Sequence, residues 1–283
     1  MQQTLKNELK ISGIGLHSGC QSNLVITPAD ENSGISFVRS DLENGIEIPA
    51  LFSFVADTRN CTCLGKNGQI VSTIEHIMAS LYAFGIDNAL IKVDNPEVPI
   101  LDGSAKVFCD SLKSVEIVKQ SSKRKYLRVK KDIMFKDDKG NFVCLKPADE
   151  FKVKFEIDFP SKIVGHQEFS GVITKELFVN NIAPARTFCE KYQVDYLKSI
   201  GLIKGGSLEN AVVLDGETIL NDGGFRMKNE CVIHKVLDLV GDMYTSGYRL
   251  LAESVGFRSG HYHNNEVLKK SFSDKDNFEI VEE

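Results

Sequence analysis

Two stretches of the chain carry apolar residues at helical spacing. In Ser72 to Phe84, STIEHIMASLYAF, the residues Ile74, Ile77, Met78 and Leu81 recur at intervals of three and four. That spacing predicts an amphipathic helix with a buried face. Gly85 stops it, and ALIKV (89–93) follows as a strand. In Cys231 to Thr245, CVIHKVLDLVGDMYT, the apolar positions fill a wide arc of the helix, Gly247 ends the run and YRLLAES follows. Both predicted helices carry a His near their start. Elsewhere the chain reads as short strands, among them NLVIT, GISFV, KYLRVK, FVCLK, FKVKFEIDF and AVVL, several with a period of two. The turns between them, PADENSG, KDDKGN and DGSA, are rich in Gly, Asp and Asn. The polar, basic stretch KQSSKRKY (119–126) separates apolar segments and divides the chain into 1–120 and 126–283. Strands interleaved with few helices predict an α+β protein with two α/β layers in each half.

Composition narrows the chemistry. A length of 283 residues, with 42% hydrophobic and 26% charged positions, suits one large or two ordinary domains. A net charge of −5 argues against nucleic acid as a partner. No apolar run approaches the ~18 residues of a membrane span, so stable membrane insertion is not expected. The start, MQQTLKNELKISG, lacks an apolar signal-peptide core, so a cytoplasmic location is expected; a monomer is expected as well. The 7 cysteines are scattered. Cys61 and Cys63 form a C-x-C with no C-x-x-C anywhere, which reads as buried reduced thiols rather than disulfides or a cysteine zinc site.

The second helix carries the candidate chemistry, HKVLDLVGD, with His234, Asp238 and Asp242 four residues apart. On a helical wheel with His234 at zero, Asp238 lies at about 40°, Asp242 at about 80° and Lys235 at about 100°. One reading is a thin solvated face on an otherwise buried helix. The other is a metal site, because His and Asp at i,i+4 point the same way, and a cation would relieve the Asp238–Asp242 repulsion of roughly 0.2–0.5 kcal/mol. The first helix offers His76, preceded by Glu75. A Glu beside a ligating His is placed to take a proton from water, but Ser72-x-x-Glu75 also matches a capping box. A third group, SGHYHNN (259–265), places His261 and His263 in what reads as a loop; either is able to shuttle a proton near neutral pH.

These pieces, in order, resemble the bacterial UDP-3-O-acyl-N-acetylglucosamine deacetylases, zinc amidases of lipid A synthesis in Gram-negative bacteria. The segments are SGIGLHSG (12–19), STIEH (72–76), GIDNALI (85–91), VPILDGSA (98–105), ARTF (185–188), GLIKGGSLENAVVLD (201–215), HKVLDLVGD (234–242) and SGHYHNN (259–265). The resemblance implies two similar sandwich domains packed face to face with the active site at their interface. It implies Zn²⁺, with Fe²⁺ as an alternative, on His76, His234 and Asp238. Glu75 would be the general base and His261 the acid, oriented by Asp242, with Lys235 and Thr187 around the reacting carbonyl. Phe188 and the segment running to Gly206 would wall an acyl passage, with Leu202 among its lining residues; Phe159 and Arg258 would contact the UDP portion of an acylated UDP-N-acetylglucosamine. A phosphate-contacting basic residue of some relatives falls near Asn141 here, with Lys139 as a substitute, and His263 has no counterpart in the catalytic set. Two other readings stay open at this point: a zinc amidase on another acylated nucleotide sugar, and a non-catalytic domain with a structural metal.

Overall fold

All six strand-like segments of the sequence form strands. The computed structural model describes residues 1–282. In the first part of the chain a five-stranded sheet runs in the order Leu9–Ile14, Gln21–Pro28, Ala89–Val93, Ile35–Arg39 and Glu47–Pro49. Alternate residues of Gln21–Pro28 are buried, so its period of two is the imprint of one packed face. The long strand Arg249–Phe257 organises the second part. It pairs along one edge with Phe142–Pro147, and along the other with Lys125–Val129 near its start and Lys152–Asp158 near its end. Among the described residues, strands before Lys119 pair only with one another, and so do strands after Lys125.

Six helices cover these sheets: α1 (Glu75–Phe84), α2 (Lys106–Lys113), α3 (Lys175–Leu177, a single turn), α4 (Lys191–Ser199), α5 (Glu230–Tyr244) and α6 (His261–Phe272). Every residue of α1 is buried, and Gly85 closes it in the left-handed conformation (φ 72°) that glycine adopts without penalty. In α5 only Ile233 and Lys235 escape burial. The two helices cross at Gly241, where an added Cβ would lie 2.0 Å from the carbonyl oxygen of Glu75. This glycine lets two buried helices touch backbone to backbone.

Two local expectations are corrected. SGHYHNN is not a loop, because His261 opens α6. Its polar composition hides a helix that buries Asn264 and Asn265 along with Val267 and Leu268. The capping box at Ser72 does not form. Thr73 sits at φ 61°, the Ser72 hydroxyl donates to the carbonyl of Pro96 (3.1 Å), and Ile74 stands at the helix start. A β-branched residue at positive φ is strained, and here it redirects the chain immediately before Glu75 and His76.

No helix among the described residues is long and apolar enough to cross a membrane. All seven cysteines are free; five are buried, Cys189 is half-buried and Cys20 is exposed.

Candidate active site and metal centre

The α1–α5 crossing brings His76 from one half of the chain against His234 and Asp238 from the other. One ligand atom from each lies within 4.8 Å of the others, and all three residues are buried. His76 Nε2 and His234 Nε2 stand 3.6 and 3.5 Å from Asp238 Oδ1, too far for hydrogen bonds. Ligands at 2.0–2.2 Å on a tetrahedral zinc stand about 3.4 Å apart, so these spacings suit a shared cation. His234 Nδ1 lies 3.1 Å from the carbonyl of Ala185. Donation there leaves Nε2 as a lone-pair ligand, a common arrangement for metal-binding imidazoles. Burial pushes the His234 pKa down to about 4 against the pull of Asp238, which keeps the ring neutral. His76 Nδ1 is buried without a partner among the described residues, none of which anchors that ring from behind. A two-imidazole, one-carboxylate set is the donor chemistry of catalytic zinc sites, and the residues fit the group.

Burial alone would raise the Asp238 carboxyl, but His234 and Lys235 hold it well below its ordinary range. Lys235 Nζ reaches Asp238 Oδ2 at 2.6 Å. Its ammonium thus pairs with a candidate ligand while lining the same cavity as Thr187. Burial raises the Glu75 carboxyl, opposed by His261 and His76. The backbone N–H of Thr62 donates to Glu75 Oε2 (3.0 Å), leaving Oε1 without a hydrogen-bond partner among the described residues.

Asp242 is not a ligand. Its Oδ2 lies 2.7 Å from His261 Nδ1 and accepts from Asn264 Nδ2 (2.8 Å), while Oδ1 accepts from the Thr62 hydroxyl (2.6 Å). Burial would lower the His261 pKa, but the charge and hydrogen bond of Asp242, with Glu75 and Asp238 nearby, raise it to about 9. Thr62 therefore ties the Glu75 backbone-side anchor to the His261 orienter.

One cavity of about 520 Å³ is lined by His76, His234, Asp238, Glu75, His261, Lys235 and Thr187. The Thr187 hydroxyl has no hydrogen-bond partner among the described residues, and Thr187 is set in place by Gly103 and Val212 through backbone bonds of 2.8 Å each. The buried pair Arg186–Glu230 (2.9 Å) fixes that segment to the start of α5. The same cavity continues along Phe188, Val194, Leu197, Ile203 and Gly206, beside the small sheet Phe188–Glu190, Val212–Asp215 and Thr218–Ile219.

Three expected contacts fall outside this cavity. Leu202 is not in its lining and Ile203 is. The chain reverses at Gly201 (φ 81°) and Ile203 (φ 49°), so helical register does not extend past Ser199. Phe159 packs edge-on against Phe188 (5.4 Å) outside the lining. Arg258 is exposed at φ 49° at the end of its strand. Lys139 and Asn141 both donate to Asp137, which also meets His263 Nε2 at 3.1 Å.

Sequence reasoning missed Thr62, Asn264 and Glu97. Thr62 lay unremarked inside the C-x-C. Glu97 is buried and accepts from the backbone of His17 and Ser18 (2.8 Å each) and from the Thr73 hydroxyl (3.2 Å). It thereby fastens the SGIGLHSG loop to the start of α1. No local pattern marks a residue whose partners lie 24 to 80 positions away.

Comparison with known proteins agrees in order and extent. Residues 2–273 match the family described as LpxC: UDP-3-O-acyl N-acetylglycosamine deacetylase. The chain is 41% identical to the UDP-3-O-acyl-N-acetylglucosamine deacetylase of Aliarcobacter butzleri, covering 99% of this chain and 93% of that protein. It is 44% identical to that of Shewanella violacea (99% and 92%) and 43% identical to that of Syntrophotalea carbinolica (99% and 91%). The chain belongs to the UDP-3-O-acyl N-acetylglycosamine deacetylase family.

Proposed function

We propose that the protein hydrolyses the acetamide of a UDP-3-O-acyl-N-acetylglucosamine, releasing acetate and the free amine, with Zn²⁺ or Fe²⁺ held by His76, His234 and Asp238. The observation that carries this reading is the convergence of those three buried side chains with Glu75 and His261 on one cavity. The names of the relatives, all deacetylases of this substrate, support it. By the same reading the step lies early in lipid A synthesis, in the cytoplasm.

When bound, the divalent cation polarises the acetamide carbonyl and acidifies a nearby water. Glu75 accepts a proton from the attacking water at Oε1, because Oε2 is engaged by Thr62. The developing oxyanion meets the Thr187 hydroxyl, an uncommitted donor in the lining. His261 holds a proton at Nδ1 against Asp242 and gives the Nε2 proton to the departing amine. Lys235 balances the Asp238 charge. Phe188, Val194, Leu197 and Ile203 present an apolar wall to the acyl chain and exclude water from it.

The test is acetate release from acylated and non-acylated UDP-N-acetylglucosamine, before chelation, after it, and after zinc add-back. Activity should vanish with the metal, return with it, and require the acyl chain. Undiminished activity in metal-free protein would sink the reading, and equal rates on both substrates would remove the acyl assignment.

A further inference from the structure

A second cleft, of about 350 Å³, shares no lining residue with the first. Its volume falls within the ~300–1,000 Å³ of small-molecule sites. Its charge is unbalanced. Among the described residues the one carboxylate in the lining is Asp87, and this is neutralised by Arg124, whose Nη2 and Nε donate to it at 2.7 and 2.8 Å. Two half-buried cations also line the cleft, Lys125 and Arg249. Among the described residues Lys125 has no ion pair. Arg249 has no carboxylate partner; it donates to the carbonyl of Tyr82 (2.7 Å) and lies over that ring at 4.0 Å. Half-buried cations without counter-ions favour an anion.

The cleft is also aromatic. Phe52 stacks on Phe272 (centroids 4.7 Å apart), and Tyr248 lies nearly parallel to Phe272 at 6.5 Å. All three line it. A flat ring packs on such a surface through offset-stacked or edge-on contacts. The lining further includes Met78 of α1 and Tyr244 of α5. Met78 is two residues past His76, and Tyr244 two past Asp242. Phe272 is the last residue of α6, which begins with His261.

We propose that this cleft binds a small anion carrying a flat ring, an aryl phosphate or aryl carboxylate, and that its occupancy alters turnover at the metal centre. The three helices that contribute Met78, Tyr244 and Phe272 to the cleft are the ones that hold His76, His234, Asp238, Asp242 and His261, and close-packed interiors transmit displacement rather than absorb it.

Phenyl phosphate is the probe, titrated calorimetrically into the full-length, metal-loaded protein, with inorganic phosphate and phenol as half-probes. Phenyl phosphate should bind saturably, and each half-probe at least tenfold more weakly. Lys125→Met should weaken binding at least tenfold without changing the unliganded rate. Ser33→Glu, an exposed substitution on the rim, should do the same through added negative charge. Saturating phenyl phosphate should change kcat at least twofold. Binding untouched by both variants, or displaced by substrate, would overturn the site. Binding with an unchanged rate would overturn the coupling. The rate measurement rests on the proposed reaction, whereas the calorimetry does not, so the two failures are separable.

Discussion

At the scale of the residue, Asp242 would, under the proposed function, organise the reaction without ligating the metal. Its two oxygens engage His261, Asn264 and Thr62, so the imidazole is both oriented and charged. Glu75→Gln and His261→Ala should each lower kcat by about 10²–10⁴, the range of a lost proton acceptor or donor, with zinc content unchanged. A variant retaining full turnover would remove that residue from the mechanism. Thr62→Val keeps the backbone donor to Glu75 and deletes only the hydroxyl bond to Asp242, so its loss should be smaller than that of His261→Ala; steady-state kinetics on the two variants decide this. The pH dependence follows from His261. Its folded pKa is raised to about 9 from 6.5, so the acid stays protonated at neutral pH and its contribution to turnover is lost as pH rises through about 9. The same shift contributes stability that is complete below 6.5 and fades between 6.5 and about 9. NMR titration of the metal-free protein should place the His261 midpoint above the ordinary value; a midpoint at or below 6.5 would contradict the role of Asp242.

At the scale of the element, the α1–α5 crossing is the structural device on which the site depends. Gly241→Ala would ordinarily help a helix by about 1 kcal/mol. Here the new methyl meets the Glu75 carbonyl, and overpacking of this kind destabilises by about 1–3 kcal/mol. Thermal unfolding should show a lowered Tm, and turnover should fall as Glu75 is pushed off its position; a raised Tm would mean the helices part without penalty. α4 offers a second test. Tyr192 and Tyr196 face outward at 71% and 62% exposure, while Val194 and Leu197 turn to the cavity. Ile203→Trp should shorten the preferred acyl chain, and Leu202→Trp should not. The reverse result, in assays across acyl lengths, would place the passage elsewhere.

At the scale of the molecule, a site built from α1 and α5, distant in the chain, would make metal binding a property of the assembled fold rather than of a local loop. Chelation should abolish turnover and leave the far-ultraviolet circular dichroism intact, because the core that holds α1 and α5 is apolar and independent of the ion. Unfolding on chelation is what a structural metal would produce. α1, α5 and the strands with a clear alternation are readable from the chain because periods of 3.6 and 2 are local consequences of which face is buried. α6 is not, because its buried face uses Asn264 and Asn265, and the burial of Asn264 makes sense only once Asp242 stands opposite.

The amino-acid order alone determined that His234, Asp238 and Asp242 share one stripe, since a helix places every fourth residue on one side whatever surrounds it. It also set His76 beside Glu75 at the head of a buried helix. That these groups meet was decided by packing: Gly241 permits the close crossing, the Ala185 carbonyl selects the His234 tautomer, Thr62 joins Glu75 to Asp242, and Ile203 rather than Leu202 faces the cavity. Each of these depends on contacts between distant parts of the chain, and a periodic pattern carries no record of which distant face a residue will meet.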